Sequence, residues 1–299
     1  MTQSSPNPSP SGQLILSGAS ESYGPSLLAL LGSIHLNWPA HPPIRVYDLG
    51  LQAETLDILQ ANRVEVVKVP AFCPHWRKHF TWKIWCLNDA PAAQILWMDA
   101  GLTVMEPLDE VFSAIQKLGY FVVPNYHLLD TEASEATCRG CGVEAFFRDG
   151  KPTLAGGLIG FLKAGDMLAL LQEALAVAMV EENIQATKPA HRHDQAILSL
   201  LMYKYYRSIV LADAQVYLGY QSPEQVPGQK GWVHRQGLLA GDLDYYRQHI
   251  SVPGAPHKPL NPRKHRPKNP FILLKRFLQS RYRKLKSRLQ PPPIYDGVR

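Results

Sequence analysis

Residues 94–104 of this 299-residue chain read Gln-Ile-Leu-Trp-Met-Asp-Ala-Gly-Leu-Thr-Val. An apolar run ends abruptly in one carboxylate, two residues with almost no side chain follow, and a second apolar run begins. A strand covered on both faces is continuously apolar instead of alternating. Residues 94–98 therefore predict a buried strand. Asp99 then stands at the carboxyl edge of a sheet, the edge on which open α/β folds hold their ligands. Ala100 and Gly101 leave room for a ligand to come close to the backbone. The plain alternative is an Asp that caps a turn.

The flanking sequence supplies the rest of such a sheet. Residues 13–17 are a short apolar run closed by Gly18, and they predict a first strand. Gly24-Pro25-Ser26 opens a helix, with Pro in its first turn and Leu27, Leu30, Leu31 and Ile34 as its buried stripe. Residues 44–49 and 63–69 read as strands around a helix over 51–61. Strands alternating with helices argue for a parallel sheet with helices on its faces. A helix over 81–88 leads into the Asp99 strand. A helix over 109–118 and a strand over 120–123 follow. Residues 125–152 carry little periodicity, and a loop of that length is usually functional or mobile. Residues 153–162 are apolar and glycine-rich, with Gly156 and Gly157 introducing a strand. Helices are expected over 166–180 and 194–205, and edge strands over 209–213 and 216–218.

Charge divides the chain. Residues 258–288 hold twelve Lys or Arg and no Asp or Glu, whereas residues 1–256 hold 18 basic and 24 acidic residues. A mildly acidic body thus carries a strongly basic tail. A general nucleic-acid binder is more often basic over its folded face, so no nucleic-acid partner is expected. No secretory signal is expected either, since the first basic residue is Arg45. Four cysteines make no disulfide scaffold at this length. Cys138 and Cys141 have CxxC spacing but no second ligand pair nearby, so reduced surface thiols are expected.

Dinucleotide and P-loop readings fail on spacing. Gly156-Gly157-Leu158-Ile159-Gly160 lacks GxGxxG and comes late, residues 18–24 also fail, and no GxxxxGK[ST] is present. What remains is a set of parts at strand edges: Ser20 and Tyr23 after the first strand, Lys83 in the helix before Asp99, the Gly156-Gly157 strand, and Asp194-Gln195 opening a helix. Their order resembles the glycosyltransferases of the GT-A fold, nearest to the family 8-like members of the nucleotide-diphospho-sugar transferase superfamily. The resemblance covers residues 13–220 and is carried by residues 95–101, residues 154–160 and Asp194-Gln195.

The resemblance implies an α/β GT-A-like domain over residues 13–250, with a mostly parallel sheet flanked by helices. Residues 1–12 would be a disordered start. Residues 251–299 would form a basic Pro-rich linker and helical tail. It implies a hexosyltransferase-like enzyme that moves a sugar from a nucleotide-diphospho-sugar donor to a glycan or lipid-linked acceptor, in surface polysaccharide synthesis. Asp99, Asp194 and Gln195 would be catalytic. Ser20, Tyr23, Lys83, Gly156 and Gly157 would bind the donor. The family motif carries a second Asp where this chain has Gly101. Three readings follow. Asp99 and His234 hold Mn²⁺ or Mg²⁺; or Asp99 binds ribose or sugar hydroxyls while Lys83, Arg77 or Lys78 neutralises the diphosphate; or the site binds without turnover. The last is the competing class, a non-catalytic sugar-nucleotide or membrane-surface module.

In the tail, Phe271, Leu274, Leu278, Tyr282, Leu285 and Leu289 fall within one stripe of roughly 80° on a helical wheel. A basic amphipathic helix suits an anionic membrane surface, here through residues 258–289. The chain is accordingly expected in the cytoplasm, with docking at the inner face of the membrane.

Overall fold

A computed structural model describes residues 12–188, 191–221 and 226–233. The expected disordered start (Gly12 apart), the expected helix over 271–289 and His234 lie outside the described residues. The elements run β1 (Gln13–Ala19), α1 (Gly24–Asn37), β2 (Ile44–Asp48), α2 (Ala53–Ala61), β3 (Glu65–Lys68), α3 (Thr81–Asp89), β4 (Gln94–Met98) and β5 (Leu102–Val104). They continue with α4 (Asp109–Leu118), β6 (Tyr120–Leu128), α5 (Leu129–Glu132), α6 (Glu135–Gly140), β7 (Pro152–Leu162) and α7 (Gly165–Ala178). The last are α8 (Glu181–Ile184), α9 (His193–Tyr205), α10 (Ala214–Tyr217) and β8 (Gly231–Val233).

Six strands form one sheet in the order β3-β2-β1-β4-β7-β6. β3, β2, β1 and β4 pair in parallel, and β7 runs against β4 and β6. Five of the six strands therefore point the same way, which is the mostly parallel α/β sheet that the alternating pattern predicts. Successive side chains of a strand face opposite sides. Leu14, Leu16, Ile95, Trp97, Ile159 and Phe161 thus join the core under α3, α7 and α9. On the other face α1 and α4 close the sheet, with Ile115 of α4 seated in the space left by Gly160. β5 and β8 make a separate two-stranded ribbon.

Four expectations are corrected. The segment 125–152 is structured: β6 runs on to Leu128, and Ser134 caps α6 by accepting from Thr137 N at 3.0 Å. Cys138 and Cys141 are buried there, along with Leu129 and Ala133, so they are core residues and not surface thiols. Burial pushes the Cys141 thiol up to about 12. Residues 209–213 and 216–218 are not strands. Ala212 N reaches Val122 O at 3.0 Å, but Asp213 then accepts from Gln215 N at 2.8 Å and turns the chain into α10. Gly156 and Gly157 lie within β7 instead of introducing it, because β7 pairs with β6 for several residues before it reaches β4.

His35, near the end of α1, and His41, just beyond it, form a half-buried histidine pair, His41 Nε2 lying 2.7 Å from His35 Nδ1. Burial, and then the neighbouring His41, lower the His35 pKa from 6.5 to about 4. The fold thus favours the neutral ring. Its contribution is complete above the unfolded value and is lost as pH falls from 6.5 towards 4. The melting temperature is expected to fall across that interval and to fall less steeply in His35→Gln. Equal slopes in thermal melts of the two proteins would refute this.

Candidate active site

Parallel register brings the carboxyl ends of β1, β2 and β4 to one edge, and β7 crosses that edge in the opposite direction. Trp97 pairs with Ile159 and Met98 with Leu158, so Asp99 meets Gly157, and its backbone N donates to Gly157 O at 2.8 Å. The turn after β4 is closed by main chain, Leu102 N donating to Asp99 O at 3.0 Å. The Asp99 carboxylate is therefore not used to cap the turn.

Its Oδ1 accepts from Lys83 Nζ at 2.7 Å and from Trp97 Nε1 at 2.7 Å. Trp97 lies two residues back on the same strand, hence on the same face. Lys83 comes from α3, with its side chain only 5% exposed. It also donates to Gly156 O at 3.2 Å and lies 3.7 Å from Asp194 Oδ2. The faces of Trp97 and Trp82 flank the ammonium at 5.3 and 5.9 Å. Burial alone would lower the Lys83 pKa, but Asp99 and Asp194 outweigh it and hold the ammonium above its ordinary range.

One ammonium serves two carboxylates. Asp99, 45% exposed, takes the short contact. Asp194, 8% exposed, keeps the longer one, and among the described residues its Oδ2 has no hydrogen-bond partner. Burial pushes its carboxyl above the usual range, with Lys83 opposing and Asp99 adding to the rise. Asp194 is not the cap of α9, whose N-cap is Arg192. A buried unpaired acceptor costs about 1–3 kcal/mol, so Asp194 Oδ2 has unmet demand for a donor.

Gly156 sits over this cluster. A Cβ there would stand 3.6 Å from Lys83 Nζ, 3.7 Å from Asp194 Oδ2 and 3.7 Å from Gln195 Oε1. The glycine leaves open a point where a cation, an anion and an amide oxygen converge. A ligand hydroxyl approaching the space that the missing side chain leaves beside these groups would accept from Lys83 and donate to Asp194.

Lys83, Asp99, Gly156, Gly157, Asp194 and Gln195 thus meet in one place. Ser20 and Tyr23 lie on the same edge but apart from that cluster. Beyond β1 a 3₁₀ turn spans Glu21–Tyr23, the Ser20 side chain makes no cap bond, and the Tyr23 ring is exposed. Arg77 bonds Leu49 O at the end of β2, and Lys78 pairs with Glu181 at 3.6 Å. His193 Nδ1 bonds Ile184 O at 3.0 Å, and His191 Nδ1 meets Thr187 Oγ1 at 2.9 Å. Trp232 of β8 packs against Ala29 and pairs with Thr103. The last β8 pair joins Val233 to Leu102, three residues beyond Asp99. His234 follows in sequence, outside the described residues.

Two contributors escape a reading of the sequence. The Trp97 indole was legible only as core, although its i, i+2 relation to Asp99 signals a shared face. Glu132, buried in the segment 125–152, bonds Gln195 and Arg192, and no local pattern marks it.

The two metal ligands that the family resemblance implies are Asp99 and His234. Asp99 keeps Oδ2 free of the Lys83 and Trp97 bonds, and no group of three or more His, Cys, Asp or Glu able to hold a metal occurs among the described residues. That donor set is too small for an all-protein cage. It fits a Mg²⁺-type ion, which is commonly held by one or two carboxylates together with substrate phosphates and waters.

No family model matches the chain, and no curated protein matches its sequence. Solved structures similar to it include galactosyltransferase LgtC in complex with donor and acceptor sugar analogues, at 14% identity and a TM-score of 0.48, covering 79% of this chain and 95% of that one. An active-site mutant of LgtC aligns at 14% identity and a TM-score of 0.45, over 94% of this chain and 98% of that one. The bifunctional glycosyltransferase WbbM in its apo form aligns at 14% identity and a TM-score of 0.49, over 68% of this chain and 39% of that one. At this identity and these TM-scores the likenesses carry none of the chemistry, which rests on Lys83, Asp99, Asp194 and Gln195.

Proposed function

We propose that the chain is a glycosyltransferase using a nucleotide-diphospho-sugar donor. One observation carries the reading: Lys83, Asp194 Oδ2 and Gln195 Oε1 converge above Gly156, beside a carboxylate at the ligand-binding edge of the sheet. A donor-sugar hydroxyl satisfies both Lys83 and the unpaired Asp194 oxygen. Asp99, 45% exposed and bonded to Lys83 and Trp97 through Oδ1, would offer Oδ2 towards the diphosphate. Ser20 and Tyr23, at the end of β1, suit the nucleoside. In transfer, the bond from the anomeric carbon to the diphosphate oxygen breaks and a bond to the acceptor hydroxyl oxygen forms. The acceptor proton is released, and the nucleoside diphosphate leaves.

Charge building on the leaving diphosphate needs cations. Arg77, held at the end of β2 by Leu49 O, would supply one from the chain as a preorganised group, because Lys83 is already shared between Asp99 and Asp194. A divalent ion held by Asp99 Oδ2 and His234, and completed by the donor phosphates, would withdraw further charge from the leaving group. Asp194 is read as holding the sugar and not as the acceptor's base, because its carboxylate is buried against Lys83. The acceptor is read as a glycan or lipid-linked saccharide.

The test is release of nucleoside diphosphate from a panel of nucleotide sugars, with saccharide acceptors, in Mn²⁺ and in chelator. Turnover that Asp99→Ala removes supports the reading. Donor binding with no turnover in any condition makes the protein a non-catalytic module. For the tail, deletion of residues 258–299 is expected to abolish co-sedimentation with anionic liposomes at low salt, as each basic residue near such a surface contributes about 1 kcal/mol at best. Unchanged sedimentation would remove the membrane-docking reading. No helix among the described residues is long and apolar enough to cross a membrane.

A further inference from the structure

Glu132, the last residue of α5, has a side chain only 2% exposed. Its carboxylate accepts from Arg192 Nε at 3.3 Å through Oε1 and from Gln195 Nε2 at 3.4 Å through Oε2. Its carbonyl accepts from Arg192 N at 2.9 Å, which ties α5 to the start of α9. At the other end of the Gln195 amide, Oε1 accepts from Gly156 N at 3.4 Å.

A carboxylate only accepts and a backbone N–H only donates. Between Glu132 and Gly156 the Gln195 amide therefore has one satisfied orientation, with NH₂ towards Glu132 and oxygen towards Gly156. Turning it over would set oxygen against carboxylate and NH₂ against N–H. The oxygen is thereby presented beside Gly156, 3.7 Å from where its Cβ would stand, next to Lys83 Nζ and Asp194 Oδ2. Positive charge develops on a donor sugar as its bond to the diphosphate stretches. An oxygen dipole favours that charge, and an NH₂ in the same place opposes it.

We propose that Glu132 is a positioning residue that locks the Gln195 amide with its carbonyl oxygen facing the donor-sugar point above Gly156. The catalytic consequence rests on the glycosyltransferase reading; the geometry does not.

The experiment is a residue swap. Glu132→Gln keeps the shape but removes the directional acceptor. Gln195→Glu places two carboxylates against each other. In the double variant Glu132→Gln/Gln195→Glu, the new amide donates to the new carboxylate, whose second oxygen again accepts from Gly156. Glu132→Gln is expected to lower kcat on the order of tenfold, as for other residues that orient a functional side chain. The donor KM and the melting temperature should change little. The double variant should be more active than either single one, a coupling that a purely structural role would not give. In parallel, ¹H–¹⁵N spectra should show the Gly156 amide shifted in Glu132→Gln and returned towards wild type in the double variant. A Gly156 resonance and kcat unchanged in Glu132→Gln, or a double variant no better than the single one, would overturn the proposal. If wild type turns over no nucleotide sugar, the functional reading fails and the Gly156 spectra alone decide on Glu132.

Discussion

Lys83→Met is expected to abolish measurable sugar transfer and to lower the melting temperature by roughly 10 °C. Both effects have the same cause. Lys83 is the counter-ion of Asp99 at 2.7 Å and of Asp194 at 3.7 Å, and its own ammonium is almost fully enclosed. Removing one partner of a buried ion pair costs about 3–5 kcal/mol, because a charge is left in low dielectric without compensation. Asp194 answers by taking up a proton, since burial already raises its pKa and Lys83 is the largest influence opposing the rise. The double variant Lys83→Met/Asp194→Asn separates the two consequences. Relieved of the stranded carboxylate, it should recover most of the lost melting temperature while remaining inactive. Thermal melts and nucleoside diphosphate release decide the matter. A double variant as unstable as Lys83→Met would show that packing against Trp82 and Trp97, not charge, is what Lys83 provides.

Asp99→Asn is expected to fold nearly as well as wild type and to lose about 10²–10³-fold in kcat, the scale seen when one preorganised electrostatic contact is removed. The amide oxygen of Asn still accepts from Lys83 and Trp97, so the two 2.7 Å bonds survive. What disappears is the negative charge and the second carboxylate oxygen on the exposed side. Asp99→Ala removes the acceptor as well and should add a fall in stability. Asp99 is 45% exposed, so solvent screening keeps that fall well below the Lys83→Met effect. Wild-type kcat in Asp99→Asn would reduce Asp99 to a clamp for Lys83 and Trp97 and would end its proposed role towards the diphosphate.

Much of this was legible in the sequence, for identifiable reasons. β4 and its terminal carboxylate were visible because a doubly covered strand has no polar alternation, and α1 and α7 because their apolar residues recur at helical spacing. Lys83, Asp99, Asp194 and Gln195 could be picked out from their places at strand edges and helix starts. What failed depends on contacts far apart in sequence. Glu132 reaches Gln195 across 63 residues. Gly156 and Gly157 fell at the start of a predicted strand, because pairing of β7 with β6 cannot be read from β7 alone. Residues 209–218 have the composition of strands, yet the β6 main chain offers them one bond, and the Asp213 side chain turns the chain into α10.

β7 serves the site through its main chain. Gly156 O receives Lys83, Gly156 N meets Gln195, and Gly157 O receives Asp99 N. On the β7 side none of these bonds involves a side chain, so no substitution within β7 deletes any of them. At Gly156 and Gly157 a scan of substitutions reports only how much volume the site tolerates. The Gly156 carbonyl and N–H are accessible one atom at a time only by amide-to-ester replacement, which removes one donor and weakens one acceptor while leaving every side chain in place. Within this wall of the site, substitution alters size alone, and the hydrogen-bonding groups that β7 itself presents stay in place.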